Sequence, residues 1–550
     1  MMTGGEMVME CLLAQGAHIG FGVPGESYLA VLDAMHDRDF RFVNARHEGG
    51  AAFMAEAWAK LTGQVGLCFV TRGPGATNAA IGVHSAMQAS TPMILFVGQV
   101  GSDMKGREAF QELDYRAVFG SMAKWAVEIE DARRIPEIIA RAYSVATRGR
   151  PGPVVIALPE DILRAEVDAS PVPALPHVEA APDPADIARI AALLEQAERP
   201  ILLAGGAGWS DASRHDLKHL AERLDLPVVV SFRRQDLIDN TSHCYAGDAG
   251  VGMTPATANL LREADVILAI NARFGEMTTD GYTLLRVPSP DQTLIHSHAA
   301  DSELGKVYAA DLTLHAGPNR MIAALKDMNL SDSDARSAWR KQARSGVEAV
   351  LDTRAQPSPV DMVEVCAHLR EVLPDDAILT NGAGNFAVWP SRHIPVGGAR
   401  RLLAPQSGAM GYGIPAAIAA SIEAPNRRVI CFAGDGDFQM TGMELATAAQ
   451  EGATPIILVL DNQTYGTIRM HQERTYPARV SGTDLKNPDF AAFAQSCGLF
   501  GRRVTQTADF ASAFADACNS GTAAVLHLDI ATEALTPGQT ISQMRAAAQK

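Results

Sequence analysis

The sequence predicts an α/β protein of three doubly wound domains, each a parallel sheet wrapped by helices. Two observations carry this reading. Short apolar runs that end on glycine-rich or Asp/Asn turns alternate with stretches of helical pattern, and the alternation starts afresh near Ile19, Ile201 and Ala377. Between these restarts lie residues 167–185, rich in Pro, Ala and acidic side chains, and residues 329–359, polar and Ser-rich before they turn helical. A chain of 550 residues is also more than one core serves. The expected bounds are 1–166, 187–330 and 359–550 for the domains, with connections at 167–186 and 331–358.

In the first domain a helical pattern around Met7, Leu12 and Leu13 leads into the strand 19–23 and the turn Pro24-Gly25-Glu26-Ser27. A short strand at 40–44 follows, and Arg46-His47-Glu48-Gly49-Gly50 opens a helix over 51–62. Glu48 sits where a helix dipole favours a carboxylate in any case, so its position alone leaves capping and chemistry both open. The strand 66–71 ends on Thr71, the loop 72–78 (RGPGATN) precedes the next helix, and 92–97 is a further strand.

The middle domain begins with a strand at Ile201 followed by LLAGGAG and continues through strands at 226–230, 266–271 and 293–296. The last domain opens on 377–385 (AILTNGAGN) and passes 406–413 (QSGAMGYG). It then reaches the densest signal in the chain, residues 428–472. There the apolar run 429–433 ends in Gly434-Asp435-Gly436, a helix is expected over 443–451, and the strand 455–460 closes on Asp461-Asn462. Strand, tight turn and helix in that order place Asp435 and Asn462 just past the carboxyl ends of two strands, and parallel pairing brings them together. A carboxylate, an amide oxygen and backbone carbonyls are all-oxygen ligands, suited to a hard divalent ion that keeps phosphate oxygens and water. An ordinary Asp-Gly turn is the competing reading of Gly-Asp-Gly by itself. Residues 539–550 read as a mobile helix or tail.

Composition narrows the function. Formal charge is -16, from 47 Lys and Arg against 63 Asp and Glu, without a basic cluster, which argues against nucleic acid and membrane surfaces as partners. No window has the length and apolarity of a membrane span, and the first residues have no basic n-region. The seven cysteines are scattered without CxxC spacing and read as reduced packing residues, so a cytoplasmic protein is expected.

The 25 residues between Gly436 and Asn462 give the last domain a specific likeness. The segment resembles the diphosphate-anchoring motif of thiamine diphosphate (ThDP) enzymes, and the chain from its first strand to about Asp529 resembles their acetohydroxyacid synthase, pyruvate oxidase and benzoylformate decarboxylase branch. The resemblance implies a pyrimidine-binding first domain, a central domain and a diphosphate-binding last domain. It implies Mg2+ held by Asp435, Asn462 and the carbonyl of Thr464. The implied cofactor pocket includes Gly25, Thr71, Pro74, Asn78, Gly384, Asn385, Ser407, Gly408, Met410, Gly434, Asp435, Gly436, Asp437, Asn462, Thr464, Tyr465 and Gly466. Met410 corresponds to the bulky residue under the bent cofactor. Glu48 corresponds to the glutamate that bonds the aminopyrimidine N1' and stabilises the tautomer able to deprotonate the thiazolium C2. A homodimer or homotetramer with active sites at the subunit interface is also implied.

Gln99, Phe110, Gln111 and Lys124 follow the synthase-like pattern and are candidates for lining the substrate channel. Relatives in this branch bind FAD in the central domain, and Gly205-Gly206 with Ala272-Arg273-Phe274 look similar to flavin-contacting turns. The departure at Ile295-His296-Ser297-His298-Ala299, where those enzymes carry an acidic run, favours a scaffold role over FAD. His471 stands where synthases place an acceptor-selecting tryptophan, and Glu26 replaces the second residue of a Gly-Gly pair. Either could donate or relay a proton. The expected activity is decarboxylation of a small 2-oxo acid and transfer of the resulting enamine to an acceptor carbonyl. A plain 2-oxo acid decarboxylase, a hydroxy-ketone carbon-carbon lyase and an inactive scaffold relative are the alternatives.

Overall fold

The computed structural model describes residues 1–351 and 356–549 and contains three six-stranded parallel sheets. In the first sheet the order is Arg41–Asn44, Ile19–Gly22, Gly66–Val70, Met93–Gln99, Pro153–Pro159, Trp125–Glu128. The second runs Tyr245–Ala249, Val228–Ser231, Pro200–Ala204, Val266–Ile270, Thr293–His298, Leu312–His315. The third runs Arg401–Leu403, Ile378–Asn381, Val429–Gly434, Ile456–Asp461, Ala524–Asp529, Phe500–Val504. Central strands such as Met93–Gln99, Pro200–Ala204 and Ile456–Asp461 are buried throughout, which is why they appear in the sequence as unbroken apolar runs. The edge strand Trp125–Glu128 is partly exposed along its length and carries mixed residues, so no apolar run reveals it in the sequence.

Each sheet has a point where the strand order turns from one side to the other, and in the first and third sheets the last strand also inserts back inside the edge strand before it. The reversal falls between Ile19–Gly22 and Gly66–Val70, between Pro200–Ala204 and Val266–Ile270, and between Ile378–Asn381 and Val429–Gly434. Loops leaving the carboxyl ends diverge at such points and leave a crevice. Most candidate cofactor residues of the first and last domains lie on loops or helix starts that follow strands of these sheets.

Two local expectations are corrected. The RGPGATN run is not a loop before a helix: the helix Gly73–Ala89 already contains it from Gly73 on. Pro74 lies in its first turn, where a missing N–H costs nothing. Likewise Gly434-Asp435-Gly436 is not a turn that delays the helix to residue 443, because the helix Asp435–Thr441 starts on the aspartate itself. A 3-10 turn at Gly442–Glu444 then redirects the chain into Leu445–Glu451.

The C-terminal segment is docked rather than mobile. Helix Ile541–Ala548 buries Ile541 and Met544 against Met470 and Leu535. Arg545 grips the buried Glu473 carboxylate through two bonds of 2.6 and 2.8 Å. Lys550 lies outside the described residues. The second connection contributes helix Asp334–Leu351, whose Trp339 and Ala343 enter the core of the central domain.

First and last domains share one core, in which Phe53 and Trp58 of helix Glu48–Thr62 meet Tyr412 and Ala417. Glu444, fully buried, accepts hydrogen bonds from the backbone N–H of Arg46 and His47 and from Thr447 Oγ1. A last-domain carboxylate therefore fixes the turn that delivers Glu48. Glu444→Ala leaves those two amides without their acceptor, and about 2 kcal/mol of destabilisation is expected. A fall in the apparent Tm together with slower cofactor activation would show it, and an unchanged Tm would refute the role.

Candidate active site

A cavity of about 250 Å³ occupies the crevice of the last domain. Loops after three adjacent parallel strands line it: Ala383, Gly384 and Asn385 after Ile378–Asn381, residues 434–437 at the end of Val429–Gly434, and Asn462, Thr464, Tyr465 and Gly466 after Ile456–Asp461. Parallel pairing of Gly434 with Leu460 puts Asp435 and Asn462 one and two residues past the same level of the sheet. Gly408 and Met410 complete the wall. Asp435 and Asn462, which parallel pairing was expected to bring together, both line this cavity, as does Thr464.

Asp435 is 3% exposed. Its carboxylate accepts from Gly436 N at 2.8 Å and from Asn487 Nδ2 at 2.8 Å. Burial pushes this carboxyl up to about 6, and the nearby Asp461 adds to the rise. A cation in the cavity removes that penalty, which is the sense in which the residues fit a divalent ion. Asn487 gives its second hydrogen to Asp461 Oδ1 at 2.7 Å, and Asp461 Oδ2 lies 2.9 Å from His527 Nε2. Gln439 Nε2 in turn donates to Asn487 Oδ1 at 3.0 Å. One amide thus bridges two carboxylates and holds Asp435 in a single orientation. Asn487→Ala is expected to weaken magnesium-dependent ThDP binding by about 10–100-fold, as loss of a ligand-orienting partner does elsewhere. Calorimetry measures this, and an unchanged affinity would remove Asn487 from the support of the site.

Asp437 is a scaffold for the surrounding loops. Its Oδ1 accepts from Ala383 N at 3.0 Å and Gly411 N at 2.8 Å, and burial pushes the carboxyl up to about 7. Asn385 is tied to Thr467 by bonds of 3.0 and 3.1 Å. Asn462 Oδ1 accepts from Thr464 N at 3.2 Å across Gln463, which adopts a left-handed φ of 58°. Gly408 also has a left-handed φ, 69°, with open space where a side chain would stand, so its backbone is left accessible from the cavity side. A Cβ on Gly436 would come within 2.5 Å of the Tyr465 ring. Ser407 is turned away and shares a 2.8 Å hydrogen bond with Ser85.

The first-domain candidates form a second group at their own crevice. Asn78 Nδ2 donates to Glu48 Oε2 at 2.9 Å, Gly25 packs against Thr71, and Thr71 Oγ1 lies 3.0 Å from Ser27 Oγ. Gln111, with a φ of 65°, accepts from Gly73 N through its carbonyl at 3.0 Å. Glu26 is largely exposed and lies 3.6 Å from Arg72, whose guanidinium also pairs with Glu160. None of Gly25, Glu26, Glu48, Thr71, Pro74, Asn78 or Gln111 lines the last-domain cavity of the same chain.

Other candidates separate from the site. His471 is exposed on helix Gly466–Thr475, of which only Gly466, Thr467 and Ile468 reach the cavity. Lys124 donates to the carbonyls of Val145 and Arg148, a packing role that spends its ammonium on backbone. Gln99 is buried and donates to Leu113 O at 2.9 Å, whereas Phe110 is 72% exposed and free to meet another surface. Sequence reasoning missed Asn487, His527 and Glu444, together with the walls Phe386, Leu460, Ile530 and Leu535. Asp461 was flagged only by its adjacency to Asn462; Asn487, 52 residues from Asp435, has no local signal.

A parallel-sheet crevice with a buried aspartate, an amide and open glycine loops is chemistry suited to a diphosphate. Comparison with known proteins narrows the class. Residues 2–118 match the thiamine pyrophosphate enzyme N-terminal TPP binding domain, 187–325 the central domain, and 382–528 the C-terminal TPP binding domain. The chain is 30% identical over 535 residues to the acetolactate synthase isozyme 2 large subunit of Escherichia coli (strain K12), covering 96% of each. It is 32% identical over 521 residues to a probable acetolactate synthase large subunit of Methanocaldococcus jannaschii, covering 92% of this chain and 88% of that one. A Lactococcus lactis acetolactate synthase large subunit is 31% identical over 504 residues, with 90% and 87% covered. The chain belongs to the thiamine pyrophosphate enzyme family and is an acetolactate synthase-like, ThDP-dependent enzyme.

Proposed function

We propose that the enzyme decarboxylates a small 2-oxo acid and transfers the remaining acyl equivalent to an acceptor carbonyl, with Mg2+ and ThDP in the last-domain cavity. The observation that carries this reading is the convergence of Asp435, Asn462 and Thr464 on one buried crevice. ThDP, when bound, supplies a thiazolium that takes up the electron pair left by departing carbon dioxide. The chain's own residues do the rest. Asp435, Asn462 and the Thr464 carbonyl would hold the ion, and Gly384, Asn385, Gly408, Gly434, Gly436, Tyr465 and Gly466 would shape the diphosphate seat, with Ser407 and Asp437 behind it. Met410, in the cavity wall, would support the bound cofactor. Leu460, Ile530 and Leu535 make a weakly polar wall that favours loss of charge from a substrate carboxylate.

The proton work falls to Glu48, steadied by Asn78. Because the cavity is lined by last-domain residues alone, we assign the second half of the site to Glu48, Gly25, Thr71, Pro74 and Gln111 of a second copy, so that the enzyme is at least a homodimer. Glu26, paired with Arg72, and His471 are the candidates for proton delivery at that shared interface. The domain bounds 1–166, 187–330 and 359–550 follow the same division. Seven free cysteines fit a reducing, cytoplasmic setting; among the described residues no helix is long and apolar enough to cross a membrane.

Local contacts in the central domain favour a scaffold role over flavin binding. At its crevice Asn271 Nδ2 donates to Ala207 O at 2.8 Å and packs on Gly206, closing the gap between the two loops. Arg150 and Arg273 are both engaged by Glu303. We therefore give this domain a scaffold role.

Incubation of the purified protein with ThDP, Mg2+ and a panel of 2-oxo acids including pyruvate tests the reading, with carbon dioxide release followed and products identified by NMR. Acetolactate from pyruvate establishes the carboligase. Aldehyde alone makes it a decarboxylase, and no turnover of any acid by ThDP-loaded protein rejects both.

A further inference from the structure

The three domains meet around a second cavity, of about 440 Å³, that shares no residue with the first. Lys60 of the first domain, Arg214 and Arg234 of the central domain and Arg401 of the last line it, against the single carboxylate of Asp211. Most of this charge is spoken for. Lys60 Nζ lies 2.9 Å from Glu56, and Arg214 and Arg401 both pair with Asp211, whose side chain is 83% exposed. Arg401 also lies 3.9 Å from Asp236.

Arg234 is the exception. It is 8% exposed, its Nε is buried without an acceptor, and its guanidinium makes no hydrogen bond to any described residue. Asp236 offers it charge at a distance but no bond. A guanidinium nitrogen buried without an acceptor is costly, and the cost is relieved when an anion supplies the missing oxygen. A second feature points the same way. Helix Asp211–Leu224, fourteen residues long and capped by Ser210, presents its N-terminal turn to this cavity, where its dipole favours negative charge.

We propose that this junction is a binding site for the phosphoryl group of a small anionic molecule, separate from the diphosphate seat of the active site. Forked guanidinium donors converging from two domains, with an ammonium from the third, match a tetrahedral dianion better than a single carboxylate. Because Lys60, Arg234 and Arg401 come from different domains, an occupant ties all three together and stabilises their arrangement.

The test uses holoenzyme saturated with ThDP and Mg2+, so that the diphosphate seat is already filled. Inorganic phosphate and ADP are titrated by calorimetry at constant ionic strength, with Tm followed in parallel. Saturable binding that raises Tm is expected, and Arg234→Gln should weaken it at least tenfold while leaving ThDP affinity unchanged. ADP binding more tightly than phosphate identifies a nucleotide as the occupant; equal affinities identify the phosphoryl group alone. Should Arg234→Gln fail to fold, Arg401→Gln, at the cavity mouth beside exposed Asp211, carries the same expectation. Absence of saturable binding of both probes to the unmutated enzyme, or unchanged affinity in the folded variant, overturns the proposal.

Discussion

Glu48→Gln is expected to bind ThDP normally and to lose exchange of the thiazolium C2 proton. The residue begins helix Glu48–Thr62 at the carboxyl edge of the first sheet, half-buried, with Oε2 held by Asn78 at 2.9 Å. A glutamine preserves shape and the bond to Asn78 through its carbonyl oxygen, but it cannot share a proton with a ring nitrogen. Loss of positioned acid-base help costs about 10²–10⁴-fold. Deuterium exchange at C2, read by NMR on bound cofactor, isolates this step from turnover. A variant that exchanges as fast as the parent would take Glu48 out of the mechanism. Asn78→Ala should lie between the two, because it releases the carboxylate without removing it.

Asp435→Ala is expected to abolish magnesium-dependent ThDP binding, with affinity falling by more than the ~100-fold that loss of a mere ligand-orienting partner can cause. The carboxylate is 3% exposed and burial has pushed it up to about 6, so in the metal-free protein its charge is an unfavourable burden above that pH. The sign of the pH effect follows. A raised folded-state pKa means that protons stabilise the apoprotein as pH falls toward 6 and below, and protons then compete with the cation. Magnesium-dependent affinity should therefore drop as pH is lowered through about 6. Calorimetry at several pH values measures both effects. If Asp435→Ala binds ThDP and Mg2+ like the parent, the metal site lies elsewhere.

These two variants probe opposite halves of the proposed site. In the single chain Glu48 and Asp435 sit at the crevices of different sheets, and only Asp435 lines the cavity. Mixing the two inactive variants offers a direct check on shared sites: heterodimers that pair an intact first domain with an intact last domain should recover part of the activity, and a monomeric enzyme would recover none.

Much of the last-domain site was legible because its chemistry is local. Gly434, Asp435 and Gly436 are consecutive, Asn462 follows at fixed spacing, and the strands that carry them are buried apolar runs, so topology alone predicts their convergence. In the first domain Gly25, Thr71 and Glu48 likewise follow the strands Ile19–Gly22, Gly66–Val70 and Arg41–Asn44. This logic failed where a residue's partner is remote in sequence. Asn487 bridges Asp435 and Asp461 from an irregular segment, and Glu444 fixes the turn at His47 from a different domain. Helix onsets at Gly73 and Asp435 were also misread, since glycine and proline suggest turns until the packing of the following residues is known.

The sequence by itself determined the three parallel-sheet domains, the strand ends that hold the candidate ligands and the family to which the chain belongs. Alternating apolar runs and fixed local spacing are properties of the chain that survive without knowledge of contacts. Tertiary structure decided which of those residues share a cavity and which, like His471 and Lys124, do not. It also decided that the C-terminal helix docks, that Asn271 bonds to Ala207 at the central crevice, and that Arg234 Nε is buried at a three-domain junction without an acceptor. Burial and pairing are set by what lies across space, and a side chain's charge acquires its cost or its use only when its neighbours there are known.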